Sequence, residues 1–278
     1  MEQLSPSEFE RLRPLVPHPH AAGHMAFVHS VIDGTMPGTA FADRADNPRS
    51  AIVCNEGGFW HAVGEPDAAF ARDVAGELPA LVRYPGTAVW ASTPGWDAAL
   101  GEVFALRRER LEYTTPEQFA PRRALPRGYR IAPIDAAIAG KFDGAVDPWV
   151  VKIWGGPERF AERAFGFAVM DGERLTSFCC PCAIGGPVGL VEAEVEVGTN
   201  DAYRRMGLAR AASIDYFEEC QRRGLRPSWT CGADNIASHH LAISLGFRLA
   251  RSVAGYAIES EMERDGDGKW RIAATGGE

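Results

Sequence analysis

The sequence predicts an α/β (α+β) fold, with a mixed central sheet flanked by helices in the C-terminal half and a smaller α/β domain before it. Three observations support this prediction. Residues 194–197 read Glu-Val-Glu-Val, and this alternation with a period of two indicates a strand. Helical spacing of apolar residues follows over Arg204–Arg223, and Gly224 suits the position just past a helix. A second strand–helix pair then comes with Trp229–Cys231 and the helix that Asn235 opens.

The N-terminal half shows the same mixture of strand and helix signals. Two apolar runs, Ser50–Asn55 and Phe59–Val63, flank a Glu-Gly-Gly turn and therefore predict a hairpin. Helices are predicted over Asp67–Leu81 and Trp96–Phe104. This order leaves open that the N-terminal half is a degenerate unit of the C-terminal fold, although it contains no phosphate-binding turn.

The division of the chain follows from its length and from one stretch of unusual composition. A chain of 278 residues is long enough for two domains of ordinary size. The stretch Thr114–Gly128 carries prolines and charges and has few apolar residues, which is typical of a boundary. The predicted domains are therefore residues 1–120 and residues 127–262.

Further elements are predicted within the second domain. Gly166–Met170 and Leu175–Ile184 flank an Asp-Gly-Glu turn and indicate a hairpin. The chain is predicted to finish with a pair of strands, Phe247–Val253 and Tyr256–Glu259.

Composition and charge exclude several classes of function. The net charge of −8 disfavours a general attraction to nucleic acid or to an anionic membrane, so any anion site must be local. No apolar run approaches the roughly 18 residues of a membrane span. Six cysteines in a chain of this length do not suggest a secreted disulfide scaffold, so we expect a cytoplasmic protein. The sequence does not predict the oligomeric state.

A turn with small residues connects the strand at 194–197 to the helix after it. The pattern is Arg204-x-x-Gly207-x-Ala209. The first amides of a helix have no partners inside the helix, and the helix dipole makes that end positive, so a phosphate can bind there if no side chain blocks it. The pattern predicts a diphosphate cradle of backbone amides, although helix capping alone also places Arg and Gly at such positions.

The order of elements resembles the core of the GNAT superfamily of acyl-CoA-dependent N-acetyltransferases. Arg204-x-x-Gly207-x-Ala209 matches that superfamily's (Gln/Arg)-x-x-Gly-x-(Gly/Ala) motif, and Asn235-x-x-Ser238 through Gly246-Phe247 matches its Asn-x-x-Ala…Gly-Phe motif. The chain further resembles the zwittermicin A resistance-type branch, specifically in its C-terminal half and more loosely before it. The segments that carry this finer likeness include Asp46–Ala51, Phe59–Pro66, Glu194–Val197, Tyr203–Ala209, Pro227–Trp229 and Leu241–Phe247.

The resemblance implies how acetyl-CoA, as co-substrate, would bind. The pantetheine arm would lie along the backbone of residues 197–199, beside a neighbouring strand that splays away. The diphosphate would rest on the amides of residues 205–209. The residues implied in cofactor binding are Val197, Thr199, Arg204, Arg205, Met206, Gly207, Leu208, Ala209, Asn235 and Ser238, and no metal is implied.

The glutamates of the 192–196 strand are candidates for the general base. A row of carboxylates on a central strand is costly unless it is paired or faces a cavity. In the superfamily, glutamates on this strand remove the amine proton directly or through water, and the resemblance implies this role for Glu194 or Glu196, with Glu194 preferred. A solvent-facing side of the sheet is the simpler alternative, and a bulge in the strand would exchange the two faces.

The general acid is not predicted. Many superfamily members carry a tyrosine seven residues after the motif asparagine, to protonate the departing thiolate, and this chain has Ala242 there. His239 or His240 can substitute for it, although a surface position is the more common reading for such histidines. Cys179, Cys180 and Cys182 do not have the spacing of a zinc half-site, so we expect them to be buried apolar residues, with Pro181 marking a bulge or an edge.

The sequence thus predicts an N-acetyltransferase that moves an acetyl group from acetyl-CoA to a primary amine of a small molecule, by direct attack in a ternary complex. The resistance-type resemblance implies an antibiotic-type amine. A non-catalytic module that binds or senses acyl-CoA is the alternative, because Ala242 leaves the acid unassigned.

Overall fold

The structure is a computed structural model, and it describes residues 1–17, 25–82 and 87–258 together with two short strands near the C-terminus. Within these residues lie eight α-helices: α1 (Met25–Ile32), α2 (Ala68–Glu77), α3 (Pro94–Gly101), α4 (Ala136–Ala139), α5 (Trp149–Ile153), α6 (Pro157–Arg163), α7 (Leu208–Arg222) and α8 (Ile236–Leu245). Three 3-10 helices cover Pro6–Leu15, Leu78–Leu81 and Asp201–Tyr203.

Fourteen strands complete the described part of the chain. They are β1 (Glu2–Leu4), β2 (Gly38–Ala42), β3 (Ser50–Asn55), β4 (Phe59–Gly64), β5 (Ala88–Ala91), β6 (Arg107–Thr114), β7 (Tyr129–Pro133), β8 (Phe167–Asp171), β9 (Arg174–Gly185), β10 (Glu192–Thr199), β11 (Arg226–Gly232), β12 (Arg248–Ala257), β13 (Met262–Arg264) and β14 (Trp270–Ile272). The predicted mixed α/β fold is confirmed.

The contacts divide the chain into two compact units. The first comprises Met1–Gly23, Gly38–Arg110 and Val253–Glu278, and the second comprises His24–Pro37 and Leu111–Ser252. These units differ from the predicted domains in that α1 packs with the second unit and the end of β12 with the first. Independent folding of residues 1–120 and 127–262 remains a prediction.

The first unit contains a mixed sheet with the order β1-β2-β3-β4-β5-β12. The hairpin of β3 and β4 forms at the predicted turn, and β4 runs parallel to β5 with four paired residues, from Phe59 with Ala88 to Ala62 with Ala91. Helices α2 and α3 supply apolar residues to its core, which includes Phe70, Trp96 and Tyr256. The Asp67 side chain caps α2 by accepting a hydrogen bond from the Phe70 amide at 2.8 Å.

The second unit contains a mixed sheet in which β7, β8, β9 and β10 are successive antiparallel neighbours and β11 runs parallel to β10. Helix α7 covers one face, where its apolar side packs with Ala193, Val195 and Trp229 in the core. Helix α1 lies against β9 and β10. Because residues alternate between faces along β10, Glu194 points away from the α7 side.

The segment predicted as a boundary is an integral part of the second unit. Phe119 stacks on Phe217 with ring centroids 4.3 Å apart, and the Ala120 amide donates to the Leu245 carbonyl at 3.0 Å. The Thr115 hydroxyl donates to the Pro227 carbonyl at 2.7 Å. These contacts make the segment an ordered connection along α7, β11 and α8.

Two predicted boundaries are wrong. Helix α7 begins at Leu208, not at Arg204, because Arg205 and Gly207 have left-handed backbone angles (φ of 64° and 78°) that end any helical run before them. The predicted final pair of strands is the single strand β12. Gly255 pairs with Trp90 of β5 within that strand, and glycine suits this position because an added Cβ would come within 2.3 Å of the Trp90 ring.

Candidate active site

A gap opens between β10 and β11 in the second unit. Their parallel ladder contains three pairs and ends where Glu194 meets Ser228. Both strands continue past this point, β10 to Thr199 and β11 to Gly232. The remainder of β10 stays paired with β9 on its other side, out to Thr199 with Ser177. Residues 195–199 thus present one backbone edge that β11 does not cover, as the resemblance implied.

A bulge accompanies the start of the gap. Glu194 pairs with Ala183 and Val195 pairs with Pro181, so Cys182 on β9 is the extra residue. Pro181 cannot donate a hydrogen bond to the ladder, and the sequence reading of Pro181 as a bulge signal is confirmed. Since the extra residue lies on β9, the alternation along β10 is kept and Glu194 shares a face with Glu196.

Glu194 is fully buried and holds two hydroxyl groups. The Ser228 hydroxyl donates to Oε2 at 2.5 Å, and the Thr230 hydroxyl donates to Oε1 at 2.7 Å. Both hydroxyls come from β11, one at the last ladder pair and one two residues into the gap. The carboxylate therefore bridges the two strands at the point where they separate, which a solvent-facing residue would not do.

Some of the other residues of β10 lie in the candidate site, and others pack or hydrogen-bond against β9. Glu196 and Val197 are half-buried, and Glu196 lies opposite Cys180 on β9. The Thr199 hydroxyl lies 2.8 Å from that of Ser177, which itself donates to the Gly198 carbonyl at 2.8 Å. Packing against β9 requires glycine at position 198, because a Cβ there would come within 2.5 Å of the Phe178 ring.

The turn after β10 is exposed, and the helix that follows it begins without a side-chain cap. Residues 204–207 are all exposed, Gly207 is the N-cap residue of α7, and no side chain caps that helix. A Cβ added at Gly207 would meet nothing within 4 Å. Left-handed residues in a turn direct backbone amides toward one concave side, which suits an anion. Leu208 is buried in the core and anchors the helix start, and Ala209 is half-buried beside it.

The two arginines of the turn differ in their partners. The Arg204 guanidinium forms an ion pair with Asp201, with Nη2 and Oδ1 2.6 Å apart, and both side chains are largely exposed. Arg205 has a left-handed backbone, which is uncommon for a residue other than glycine, and its side chain is exposed. Met206 is 40% exposed, and the Tyr129 hydroxyl lies 3.8 Å from its sulfur.

Asn235 and Ser238 each have a structural role. The Asn235 side chain caps α8 by accepting a hydrogen bond from the Ser238 amide at 3.1 Å. The Ser238 hydroxyl in turn accepts from the Trp229 indole at 3.2 Å. These contacts place the start of α8 beside the part of β11 that lies beyond the ladder. Gly246 ends α8 with a φ of 104°, and Phe247 then enters the core.

A tyrosine–histidine pair lies beside the same part of β11, and sequence reasoning missed it. The Tyr113 hydroxyl is 2.7 Å from His239 Nδ1 and 3.5 Å from the Cys231 sulfur. Burial, together with Cys231, raises the pKa of Tyr113 above its usual value. His239 is half-buried and His240 is exposed. Tyr113 and His239 are separated by 126 positions, so only the placement of β6 beside β11 reveals the pair.

The cysteines behave as buried apolar residues, as predicted. All six are buried and none forms a disulfide, and burial raises the pKa of the Cys179 and Cys180 thiols. No group of three or more His, Cys, Asp or Glu side chains arranged for a metal ion occurs in the part of the chain that the structure describes. Among those same residues, no helix combines the length and the apolar character needed to cross a bilayer.

The second unit thus combines a mixed sheet, a gap between parallel strands at Glu194 and an exposed helix N-terminus. The chain belongs to the GNAT acetyltransferase family, whose model matches residues 19–256, and it is an acyltransferase. It is 29% identical over 239 residues to the uncharacterized N-acetyltransferase YdfB of Bacillus subtilis (strain 168), a match that covers 84% of this chain and 88% of that protein.

Solved structures show the same fold over nearly the whole chain. A GCN5-related N-acetyltransferase-like protein from Streptococcus suis is 20% identical, with a TM-score of 0.68, and the match covers 95% of this chain and 99% of that one. A GNAT-family acetyltransferase from Colwellia psychrerythraea is 13% identical, with a TM-score of 0.61 and coverage of 93% and 100%. A tandem GNAT protein from the clavulanic acid biosynthesis pathway is 12% identical, with a TM-score of 0.61 and coverage of 92% and 97%.

Proposed function

We propose that this chain transfers an acetyl group from acetyl-CoA to a primary amine of a small molecule, by direct attack in a ternary complex. The observation that carries the proposal is the position of Glu194, a fully buried carboxylate at the point where β10 and β11 separate. A gap in a central sheet with a carboxylate at its apex provides an edge for the thioester arm and a proton acceptor within the same few residues.

The co-substrate fits the residues around the gap. The open edge of residues 195–199 can take the pantetheine amides as an added strand, with Val197 and Thr199 supplying backbone groups. The diphosphate would rest on the amides of residues 205–209, where Gly207 leaves open space and α7 has no side-chain cap. Arg204, Arg205 and Met206 would line the outer side, and Asn235 and Ser238 would hold α8 against the arm.

The carboxylates of β10 supply the base. The reaction forms a bond between the amine nitrogen and the acetyl carbon, breaks the bond from that carbon to sulfur, and requires the nitrogen to lose a proton. Glu194 can receive this proton through the Ser228 or Thr230 hydroxyl, which passes its own proton to the carboxylate as it accepts the new one. Glu196, which is half-buried on the same face, is the alternative base.

Tyr113 and His239 fill the role that Ala242 leaves vacant. His239 and Ala242 are three positions apart on α8 and so share a helix face, and Ala242 is fully buried. The Tyr113 hydroxyl contacts Cys231 within the separated part of β11. Because the pKa of Tyr113 is raised, its hydroxyl stays protonated at neutral pH and can donate that proton to the departing thiolate, with His239 positioned to restore it.

The acceptor class rests on charge and on resemblance. The acidic chain and the β10 carboxylates suit a cationic amine, and the likeness to the zwittermicin A resistance-type branch supports an antibiotic-type amine. The family supports a catalyst over a module that only binds or senses acyl-CoA. The cytoplasm, with its supply of acetyl-CoA, is the expected compartment.

The test is to incubate the protein with acetyl-CoA and a library of primary amines. Turnover is monitored as release of the CoA thiol, and the products are identified by mass spectrometry. An added acetyl group on at least one amine, dependent on the protein, is the expected result. Saturable CoA binding in calorimetry with no thiol release from any amine would support the binding module, and absence of CoA binding would end both proposals.

A further inference from the structure

Glu112 of β6 lies on the same face of the second unit's sheet as the candidate base Glu194. Tyr113 packs in the core beneath α7 and α8, where its hydroxyl is 2.7 Å from His239. Because residues alternate along a strand, the adjacent Glu112 points to the opposite face. Glu194 shares that face, two strands away in the order β6-β11-β10. Neighbouring strands are about 4.8 Å apart, so the two carboxylates are roughly 10 Å apart across the sheet.

Glu112 holds an arginine that reaches this face from the start of β12. The Arg251 Nε donates to Glu112 Oε2 at 2.6 Å, and both residues belong to the second unit. The two partners differ in exposure, because the Glu112 side chain is 8% exposed and the Arg251 side chain is 37% exposed. A guanidinium carries five N–H donors in a planar fork, and this pair uses the one at Nε. The accessible charge at this point of the face is therefore positive and held in position by the carboxylate below it.

A second ion pair of the same kind lies at the closed end of the β10–β11 ladder. Arg226, 34% exposed, donates to Glu192, which is as buried as Glu112. Helix α1 covers this end of the face. A Cβ added at Gly185, the β9 residue that pairs with Glu192, would come within 2.6 Å of the Ser30 amide nitrogen. A ligand on the Glu194 face therefore has Arg251 as its neighbour and is kept from Arg226 by α1.

The spacing of the strands sets the length of a molecule that reaches both ends of the site. The reacting amine would lose its proton at the hydroxyls of Ser228 or Thr230, and their strand β11 lies between β10 and β6. A group that meets Arg251 beside Glu112 is therefore roughly 5–10 Å from the reacting nitrogen, one to two strand spacings. An extended chain advances about 1.2 Å per bond, so this span corresponds to about four to eight bonds.

We propose that Arg251 determines the specificity for the acceptor, and that the acceptor is an amino acid whose reacting amine is about four to eight bonds from a carboxylate. Arginine and carboxylate form charge-assisted, often paired hydrogen bonds, which fix the far end of such a molecule while its amine meets the β11 hydroxyls. Glu112 is a positioning residue that orients the guanidinium. This inference rests on the proposed acetyl transfer and narrows its acceptor from primary amines in general to one chemical class.

The experiment compares three primary amines of equal chain length that differ only at the far end. 6-Aminohexanoate carries a carboxylate there, hexylamine a methyl group and 1,6-diaminohexane a second cation. Turnover with acetyl-CoA gives kcat/KM for each amine, and calorimetry in the presence of CoA gives its affinity. We expect 6-aminohexanoate to exceed hexylamine about tenfold in both quantities. The diamine should be the weakest of the three, because its second cation meets the Arg251 charge.

Two double variants test the residues themselves. Glu112→Gln with Arg251→Gln removes both charges together, so no unpaired carboxylate is left buried. The preference for 6-aminohexanoate over hexylamine should fall to about one in this variant, because neither charge remains to select the carboxylate. Glu192→Gln with Arg226→Gln makes the same change at the end of the face that α1 covers, and it should keep the wild-type preference.

The outcomes separate this inference from the proposed function. No preference for 6-aminohexanoate in wild-type turnover or binding would overturn the inference, as would a preference that survives in the Glu112 and Arg251 double variant. Acetylation of other amines in either case would leave the proposed transfer intact. Preferential binding of 6-aminohexanoate without acetylation of any amine would support the carboxylate site and end the proposed function. The wild-type comparison decides even if a variant fails to fold.

Discussion

At the scale of single residues, the same side-chain type has opposite roles depending on its neighbours. Glu192 and Glu194 are two positions apart on β10 and both are almost fully buried. Glu192 forms an ion pair with Arg226, so its charge is used to hold β10 to β11. Glu194 accepts hydrogen bonds from two hydroxyls, those of Ser228 and Thr230, and these can exchange protons with it. Sequence alternation identified the row of carboxylates but could not separate these roles.

Glu194→Gln is expected to lower kcat by about 10²–10⁴, because it removes a base while keeping the volume and one acceptor oxygen. Stability should change by no more than about 1–2 kcal/mol, since the Ser228 and Thr230 hydroxyls can rotate to accept from the new amide. Steady-state kinetics and thermal unfolding measure the two effects. Glu192→Gln is the control on the same face, and it should lose stability and keep kcat. Full activity in Glu194→Gln would move the role to Glu196.

Tyr113→Phe tests the proposed acid. It removes the hydroxyl near Cys231 and His239, so kcat should fall roughly 10–100-fold while CoA affinity stays the same. Because the pKa of Tyr113 is raised, deprotonation of its hydroxyl should not lower the wild-type kcat below about pH 10, the ordinary pKa of a tyrosine. Tyr216→Phe is the control: its buried hydroxyl donates to the Ala193 carbonyl at 3.1 Å, so its loss should cost stability alone. Equal kcat in the two variants would remove Tyr113 from the reaction.

At the scale of elements, the candidate site is built mainly on the strand–turn–helix segment that runs from β10 to α7. Sequence alternation and helical spacing predicted both β10 and α7, and family motifs predicted the gap. The helix start was missed because a left-handed Arg205 is not visible in residue types, whereas the Gly207 signal was read correctly as open space. Pro181 signalled the bulge, since proline has no amide hydrogen to donate to the ladder. Tyr113 with His239 could not be predicted, because their contact depends on which strand lies next to β11.

Gly207→Ala and Gly224→Ala form a matched pair at the two ends of α7. Both glycines have positive φ, 78° and 69°, and neither has an atom within 4 Å of an added Cβ. Each substitution should therefore cost a similar 1–2 kcal/mol from backbone strain. Only the methyl at residue 207 would enter the space expected for the diphosphate, so CoA affinity should fall tenfold or more in that variant alone. Calorimetry with CoA measures this, and equal affinities in the pair would contradict the cradle.

At the scale of the whole molecule, the two units share an order of elements that sequence reasoning left open as a degenerate copy. Each has three antiparallel strand pairs in succession, then a helix, a parallel strand and a further helix. They differ at the parallel pair, which separates after three positions in the second unit and stays paired at four successive positions in the first. Segment limits were harder to predict, because β12 begins in the second unit and ends in the first.

This chain path makes the end of β12 essential to the first unit. Gly255, Tyr256 and Ala257 form the antiparallel neighbour of β5, and the Tyr256 hydroxyl donates to the Asp97 carbonyl at 2.9 Å. Tyr256 and Ile258 also belong to the core of that unit. A chain ending at Ser252 loses both side chains, whose burial contributes about 3–6 kcal/mol, a large share of the 5–15 kcal/mol typical of whole proteins.

We therefore expect a chain of residues 1–252 to lose hydrogen-exchange protection in β5 and α3, whereas a chain of residues 1–258 keeps it. The two chains differ by six residues, so the comparison isolates the end of β12 from everything that follows Ile258. Retained protection of β5 in the shorter chain would show that the first unit closes its sheet without β12. In that case residues 1–120 could form the independent domain that composition predicted, and the shared strand would be a connection and not a structural requirement.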